Sequence, residues 1–374
     1  MAKAVYVGVG SKARKMKKAY IGIGGKARKV KKMYIGVGGK ARLCYSAELE
    51  RYGMAAALST TRYDMRAATV GKYALFAGGY ISKYSFSYSV SSSVDAYNTS
   101  LTKSTPTELS CKRCGHAAAS VGGYALFAGG ASSYNILGFY ENLVSAVDAY
   151  DASLTRSAAH IIGVTVAIGG AAVGNYALFA GGTVYSQVNK DNVTSDVLAY
   201  DPSLTFTTAP LLSVARANVK GASAGNYALF AGGRAGSFCT TVDAYNASLT
   251  RTTATALSST KNNSAAATVG NHAIFVGNTA SADIYDASLT KTSAAILSTA
   301  RTGLAATTVG DYAIFSGGGV ADFCDASLTR SSIGTSMTGY DMGAATIGDY
   351  ALFAGGHSGE KSDTAYDSVE VYTA

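Results

Sequence analysis

The apolar positions of the chain recur as one heptapeptide, YALFAGG, at residues 73–79, 124–130, 176–182, 227–233 and 350–356. Degenerate copies occupy residues 272–278 and 312–318, so seven copies follow one another at intervals of 38 to 52 residues. Such a period belongs to propellers and solenoids rather than to a mixed domain. Each copy is apolar on both alternating sets of positions and ends in two glycines. This predicts a short strand buried on both faces and closed by backbone angles that glycine tolerates best. Ahead of each copy runs a strand of small residues, such as Ala67-Ala68-Thr69-Val70, and a two-residue turn. Behind it come a variable segment, a strand ending VDAY, a turn of the form Asn/Asp-Ala-Ser, and a strand opening LTR or LTK. A loop of the form LSxxR returns to the next small-residue strand. We name the four strands A, B, C and D. Four antiparallel strands per unit, repeated radially with small side chains converging on an axis, predict an all-β propeller of seven blades.

The pattern also predicts how the ring closes. The seventh unit ends just after its strand C, at residues 372–374, while residues 45–49 (YSAEL) match the turn that precedes strand D elsewhere. The N-terminal side is therefore expected to supply the outer strand of the last blade, leaving no open sheet edge. In an antiparallel meander the A–B and C–D turns share one face and the B–C and D–A loops the other. The turns of the first face are short and uniform. The B–C loops are long in blades one, two, three and seven, intermediate in blade four and minimal in blades five and six, and variable loops on a rigid scaffold are where binding concentrates. Blade one contributes YISKYSFSYSVSSS, with Tyr84, Phe86, Tyr88 and Val90 on one side of an extended hairpin. Blade two adds Tyr134, Asn135, Phe139 and Tyr140, blade three Tyr185, Gln187 and Asn189, blade four Arg234, and blade seven His357, Glu360, Lys361 and Asp363. Tyrosine brings contact area at little entropic cost, and Ser and Asn bring adaptable hydrogen bonds. The competing reading is that the serine-rich stretches are hairpin extensions without a partner. As the ligand set we take Tyr84, Phe86, Tyr88, Tyr134, Tyr140, Tyr185, Arg234 and His357.

The paired glycines after strand B, the tyrosines ending strand C (Tyr97, Tyr150, Tyr200, Tyr245, Tyr285) and the basic residue before strand A resemble the kelch family of propellers. The resemblance covers residues 45–374 but lacks the tryptophan usual on the outer strand, where Leu101, Leu154 and Leu249 stand instead. It implies that Arg62, Arg113, Arg216, Lys261 and Arg301, at one equivalent D–A position broken only by Thr165 and Gly339, can face the mouth of the central channel and bind acidic partners. They can equally pair with carbonyls or acids between blades.

Residues 1–44 form a separate arm. By sequence they hold thirteen Lys and Arg and no acid, against nineteen basic and twenty-three acidic residues in the remainder, so the overall +9 averages a basic arm and a mildly acidic body. The arm repeats every 14 residues, with Tyr6, Tyr20 and Tyr34 in register, as does the series Arg14, Arg28 and Arg42. Each unit reads as an alternating strand, a Gly-Gly or Gly-Ser turn and a basic strand, which is a hairpin signal. A lone hairpin is marginal, so the arm is expected to order on a partner or on copies of itself. Its charge suits docking on an acidic protein assembly. Nucleic-acid binding, with tyrosines stacking on bases, is the weaker reading because no nucleic-acid-binding motif accompanies the charge. The lysines can also simply blunt strand edges. YIGIGGKARKVKK and YIGVGGKAR resemble short tandem repeats near the N-termini of tail and other structural proteins of phages and prophages of Gram-positive bacteria.

Composition narrows the chemistry further. With 43 Gly, 3 Pro and no Trp the chain suits packed β structure with tight turns. No run of about 18 apolar residues predicts a membrane span, and the N-terminus lacks the apolar core of a signal peptide. Five unevenly spread cysteines do not suggest a disulfide framework. Cys111 and Cys114 with His116 lack the second ligand pair of a structural zinc site, and four scattered histidines form no catalytic motif. No cofactor is implied. These observations favour a non-enzymatic phage or prophage virion component, a tail or baseplate accessory made in the bacterial cytoplasm. Its arm is expected to dock on the particle and its propeller to bind a host-surface glycan or protein. The alternatives are an intracellular, cytoplasmic kelch-type scaffold and a glycan-active propeller enzyme, since fold alone excludes neither.

Overall fold

A computed structural model describes the chain except residues 1–5, 10–11, 16–18, 24–25, 31, 38–39, 47, 85–86, 136–139, 160–162, 164, 167, 185–191, 262–264 and 360–363. Among the described residues it is all-β, without a helix. Seven four-stranded antiparallel sheets follow in chain order as the blades of a propeller. Blade one is built from Arg66–Val70, Tyr73–Ala77, Val94–Asn98 and Lys103–Ser104 as strands A to D. Blade four shows the same order in Lys220–Ala224, Tyr227–Ala231, Val242–Asn246 and Arg251–Ala254. In blade seven, Gly343–Ile347, Tyr350–Ala354 and Val369–Thr373 are joined by Glu50–Ala55 in the outer position. Glu50 lies opposite Thr373 and Ala55 opposite Val369. Ahead of the ring the chain forms two-stranded antiparallel hairpins, Tyr6–Val9 with Lys12–Lys15, Tyr20–Ile23 with Lys26–Lys29, and Lys32–Val37 with Lys40–Ser46.

The heptapeptide forms strand B and, from its second residue on, is buried: Ala74, Leu75, Phe76 and Ala77 have no exposed surface. Its apolar groups serve two cores, because each hydrophobic cluster straddles neighbouring blades. One packs Leu352, Ala354, Val369 and Val371 of blade seven against Ala74, Phe76 and Tyr97 of blade one, and another packs Ala68 and Leu75 of blade one against Ala125 and Phe127 of blade two. Burial of this kind contributes roughly 25 cal/mol per Å² of apolar surface. The two glycines that end the heptapeptide turn the chain sharply. Gly78 and Gly79 have φ of +63° and +95°, and a Cβ on Gly79 would stand 2.4 Å from the Tyr63 carbonyl oxygen.

The tyrosine of strand C links blades. Its ring meets the strand B phenylalanine edge-on, 5.9 Å between centroids in Phe76–Tyr97 and Phe127–Tyr150. Its hydroxyl donates to a carbonyl of the preceding connection, at 2.7 Å for Tyr97 to Ala56 and 2.8 Å for Tyr150 to Thr107. Leu101, Leu154 and Leu249, read from the sequence as outer-strand residues, sit instead in the C–D turn at φ between +59° and +64°, ahead of strand D. Leucine is uncommon there, and its side chain packs on the inter-blade core.

Candidate functional site

The five basic D–A residues do not face the channel. Arg62, Arg113 and Arg216 have no exposed surface, and Lys261 is buried. Each, with Arg301, is ion-paired to the acid of strand C in the blade that follows it: Arg62 to Asp95 at 2.5 Å, Arg113 to Asp148, Arg216 to Asp243 at 2.9 Å, Lys261 to Asp283 at 3.4 Å and Arg301 to Asp322. The serine of the LSxxR loop donates to the same carboxylate, as Ser213 does to Asp243 through its backbone N–H at 3.2 Å and its hydroxyl at 3.0 Å. The basic residue opening strand D completes the cluster, Arg251 lying 3.0 Å from Asp243. An acid on strand C therefore captures the cation that the sequence left free to reach the channel, and these residues tie each D–A loop to the blade it enters.

Two blades vary this device. In blade seven Gly339 removes the loop cation, and Glu370 accepts from Arg51 and from Ser336. Blade three abandons all three charges. Thr165, Leu198 and Phe206 stand at the cation, acid and second-cation positions, and Leu198 and Phe206 pack against the apolar layer between blades two and three.

The loop face carries a second structure. The B–C hairpin of blade one, Tyr80–Tyr84 with Ser87–Val90, joins that of blade two, Ala131–Asn135 with Tyr140–Leu143, in one four-stranded sheet. The seam pairs Ser87 with Asn135 and Tyr88 with Tyr134. At its base lies a line of aromatic rings. Tyr88 meets Tyr80 edge-on at 5.5 Å, and Tyr80 stacks on Tyr63 at 5.2 Å. Tyr63 meets His357 at 4.7 Å, and His357 lies 6.3 Å from Tyr340. Tyr80 is buried and forms the floor, while Tyr63, Tyr88, Tyr340 and His357 are half-buried. The His357 Nε2 lies 3.0 Å from the Asp341 carboxylate, and that hydrogen bond, outweighing partial burial, holds the imidazole above its ordinary pKa.

Of the predicted ligand residues, the structure brings Tyr88 and His357 into one aromatic line. Arg234 stands apart on blade four, exposed, its Nε donating to the Gly236 carbonyl at 3.1 Å. The backbones of Tyr84, Tyr134 and Tyr140 lie in the joined sheet, whereas Phe86 and Tyr185 lie outside the described residues. In the arm, Tyr6, Tyr20, Arg14, Arg28 and Arg42 lie on the paired strands, and Tyr34 is 56 % exposed. Tyr63, Tyr80 and Tyr340 were missed. Tyr80 directly follows the glycine pair, and Tyr63 and Tyr340 both stand one residue after the D–A basic position, so an aromatic at that offset was the available signal.

The Cys111-to-His116 segment is absorbed into the ring. Cys114 pairs through its backbone with Ala131, and burial pushes its thiol up to about 12. His116 is fully buried, and neither ring nitrogen makes a well-aligned hydrogen bond among the described residues, the Ala77 backbone being its nearby polar group. Burial, and then the Arg113 and Arg66 charges, push its pKa well below the usual histidine value, so it is neutral.

No family model matches the chain, and no curated protein matches it in sequence. Among solved structures, that of YjhT superposes with a TM-score of 0.55 over 86 % of this chain and 99 % of that one, at 12 % identity. At that identity the likeness carries the fold alone.

Proposed function

We propose that the protein is a non-enzymatic recognition module of a phage or prophage virion, a tail or baseplate accessory. In this reading residues 1–44 dock on the particle, and the loop face of a kelch-type ring, closed by the N-terminal strand, binds a host-surface glycan or protein. The observation that carries it is the aromatic line from Tyr88 to Tyr340 beside the joined hairpin sheet. Half-buried rings held edge-on and stacked are preorganised, so little ordering cost remains when a sugar ring or apolar side chain settles on them. The polarity of the layout agrees: Glu50 enters blade seven at the end bearing the C–D turns, away from the B–C loops. Anchoring and recognition would then occupy opposite faces.

The His357–Asp341 pair beside two tyrosines supports glycan-active chemistry as a second reading. One experiment separates them. Wild type and a Tyr63→Ala/Tyr88→Ala variant are applied to a glycan array and to host cells, and the bound glycans are analysed for turnover. Recognition predicts binding without conversion and at least tenfold weaker retention by the variant, about 1.4 kcal/mol. Converted glycan would favour the enzyme, and equal retention by both proteins would remove the aromatic line from the site. Deleting residues 1–44 tests the anchor: the ring should fold and bind but fail to join particles.

A further inference from the structure

The starts of the seven A strands surround a cavity of about 210 Å³ on the axis of the ring, at the loop-face end. Its wall is mostly Ala, Gly and backbone, and between blades three and four the strands nearly touch: a Cβ on Gly221 would lie 2.2 Å from the Gly170 carbonyl oxygen. One strand A position holds Ala117, Gly169, Ala265, Ala305 and Gly343 in five blades, but Arg66 in blade one and Lys220 in blade four. Blades three steps apart in a seven-fold ring face each other across the axis, so the two cations line the cavity from opposite sides.

They are not equivalent. Two residues before Arg66 stands Asp64, in the left-handed region at φ +51°, and its carboxylate accepts from the Arg66 guanidinium at 2.7 Å. Two residues before Lys220 the same backbone geometry recurs at φ +57°, but the residue is Asn218. The amide keeps the turn, which Asn and Asp both tolerate, and removes the counter-charge. The neighbouring acid Asp341 is engaged by His357. Lys220 makes no hydrogen bond or ion pair among the described residues. Desolvation first, and then the Arg66 charge, draw its pKa below the ordinary lysine value, against the smaller opposing pull of the more distant Asp64 and Asp341 carboxylates. A cation held without a partner in a partly desolvated cavity is stabilised by any anion that can enter.

We propose that the axial cavity is a binding site for a compact anion, a small organic carboxylate or an inorganic oxoanion, held by Lys220 with Arg66 on the far side. The space is well above what one water requires and too small for a polymer. This site is independent of the aromatic line and of what that line binds.

The test is calorimetric titration and thermal shift of the full chain with acetate, lactate, phosphate and sulfate, using acetamide as the uncharged control. We expect saturable binding of at least one anion and none of acetamide. Which anions bind separates carboxylate from oxoanion selectivity. Lys220→Met should weaken binding at least tenfold, and Lys220→Arg should retain it. Asn218→Asp should weaken it severalfold by restoring the internal counter-ion that Arg66 already has. Circular dichroism of each variant verifies the fold. Equal binding by wild type and Lys220→Met, or no saturable binding of any probe in the millimolar range, overturns the proposal.

Discussion

Asp243 offers the sharpest test of what holds the blades together. Its buried carboxylate accepts from Arg216 at 2.9 Å, from Arg251 at 3.0 Å, and from the Ser213 amide and hydroxyl at 3.2 and 3.0 Å. Replacing it alone, as in Asp243→Leu, leaves Arg216 with its carbonyl contacts to Gly232 (2.9 Å), Val214 (3.0 Å) and Phe230 (3.1 Å) but no compensating charge. An unpaired buried charge costs about 3–5 kcal/mol. Arg251, about a third exposed, adds little because solvent screens it. Blade three supplies the control within the same chain, because Thr165, Leu198 and Phe206 fill these three positions without charges. The triple variant Arg216→Thr/Asp243→Leu/Arg251→Phe is therefore expected to recover most of the loss, since replacing a buried ion cluster whole is often neutral or stabilising. Equilibrium guanidinium unfolding, followed by tyrosine fluorescence and far-UV circular dichroism, measures the loss in the single variant and its recovery in the triple one. A cost under about 1 kcal/mol for the single variant, or a triple variant no more stable than the single one, would refute a buried, charge-compensated cluster at Asp243.

Three further outcomes are expected. His116→Met, which copies Met65 at the equivalent place in blade one, should stabilise the protein by about 1–3 kcal/mol by removing an unsatisfied buried polar group. It should also flatten the acid limb. His116 is depressed in the fold, so below about pH 6.5 the unfolded chain binds a proton that the folded chain refuses, and wild type loses up to ~1.4 kcal/mol per pH unit that the variant keeps, as unfolding at pH 5 and 7 would show. His357 works in the opposite direction. Its raised pKa stabilises the fold below the unfolded value, and the gain disappears as pH rises through the folded one, so His357→Gln should lose about 1 kcal/mol or less at pH 5.5 and nothing at pH 8.5. Gly221→Ala forces a methyl group into the Gly170 carbonyl and should destabilise by roughly 1–3 kcal/mol, measured against Ala222→Gly as a neighbouring control.

The seven blades were legible because a short strand apolar on both faces recurs seven times, each copy bounded by glycine turns too closely spaced for a helix. The placement of the basic D–A residues was not. Arg62 and Asp95 are 33 residues apart in sequence and meet only when strand C returns beside strand B. The joint loss of charge at Thr165, Leu198 and Phe206 was the trace of that contact in the sequence. On the loop face, Tyr88 and His357 could be chosen from composition, but Tyr63 and Tyr340 read as connections until the rings were seen in line. The joined sheet depends on the register between two hairpins of different blades, which no local pattern encodes. Arg66 and Lys220 stand out only once seven A strands are compared at one depth, because each alone reads as a charged strand end.

The pairing of Glu50–Ala55 with Val369–Thr373 has a kinetic consequence. Its two partners are about 320 residues apart, so the ladder that completes blade seven cannot begin until six other blades have left the ribosome. At about 5–20 residues per second, the early strand waits on the order of tens of seconds as an unsatisfied edge. The entropy of closing so long a loop grows only logarithmically with its length, and the intervening blades shorten the effective separation as they stack. Glu50–Ala55 therefore pairs only after Val369–Thr373 has been made, and during that delay its open edge is available to the wrong copy of the repeat.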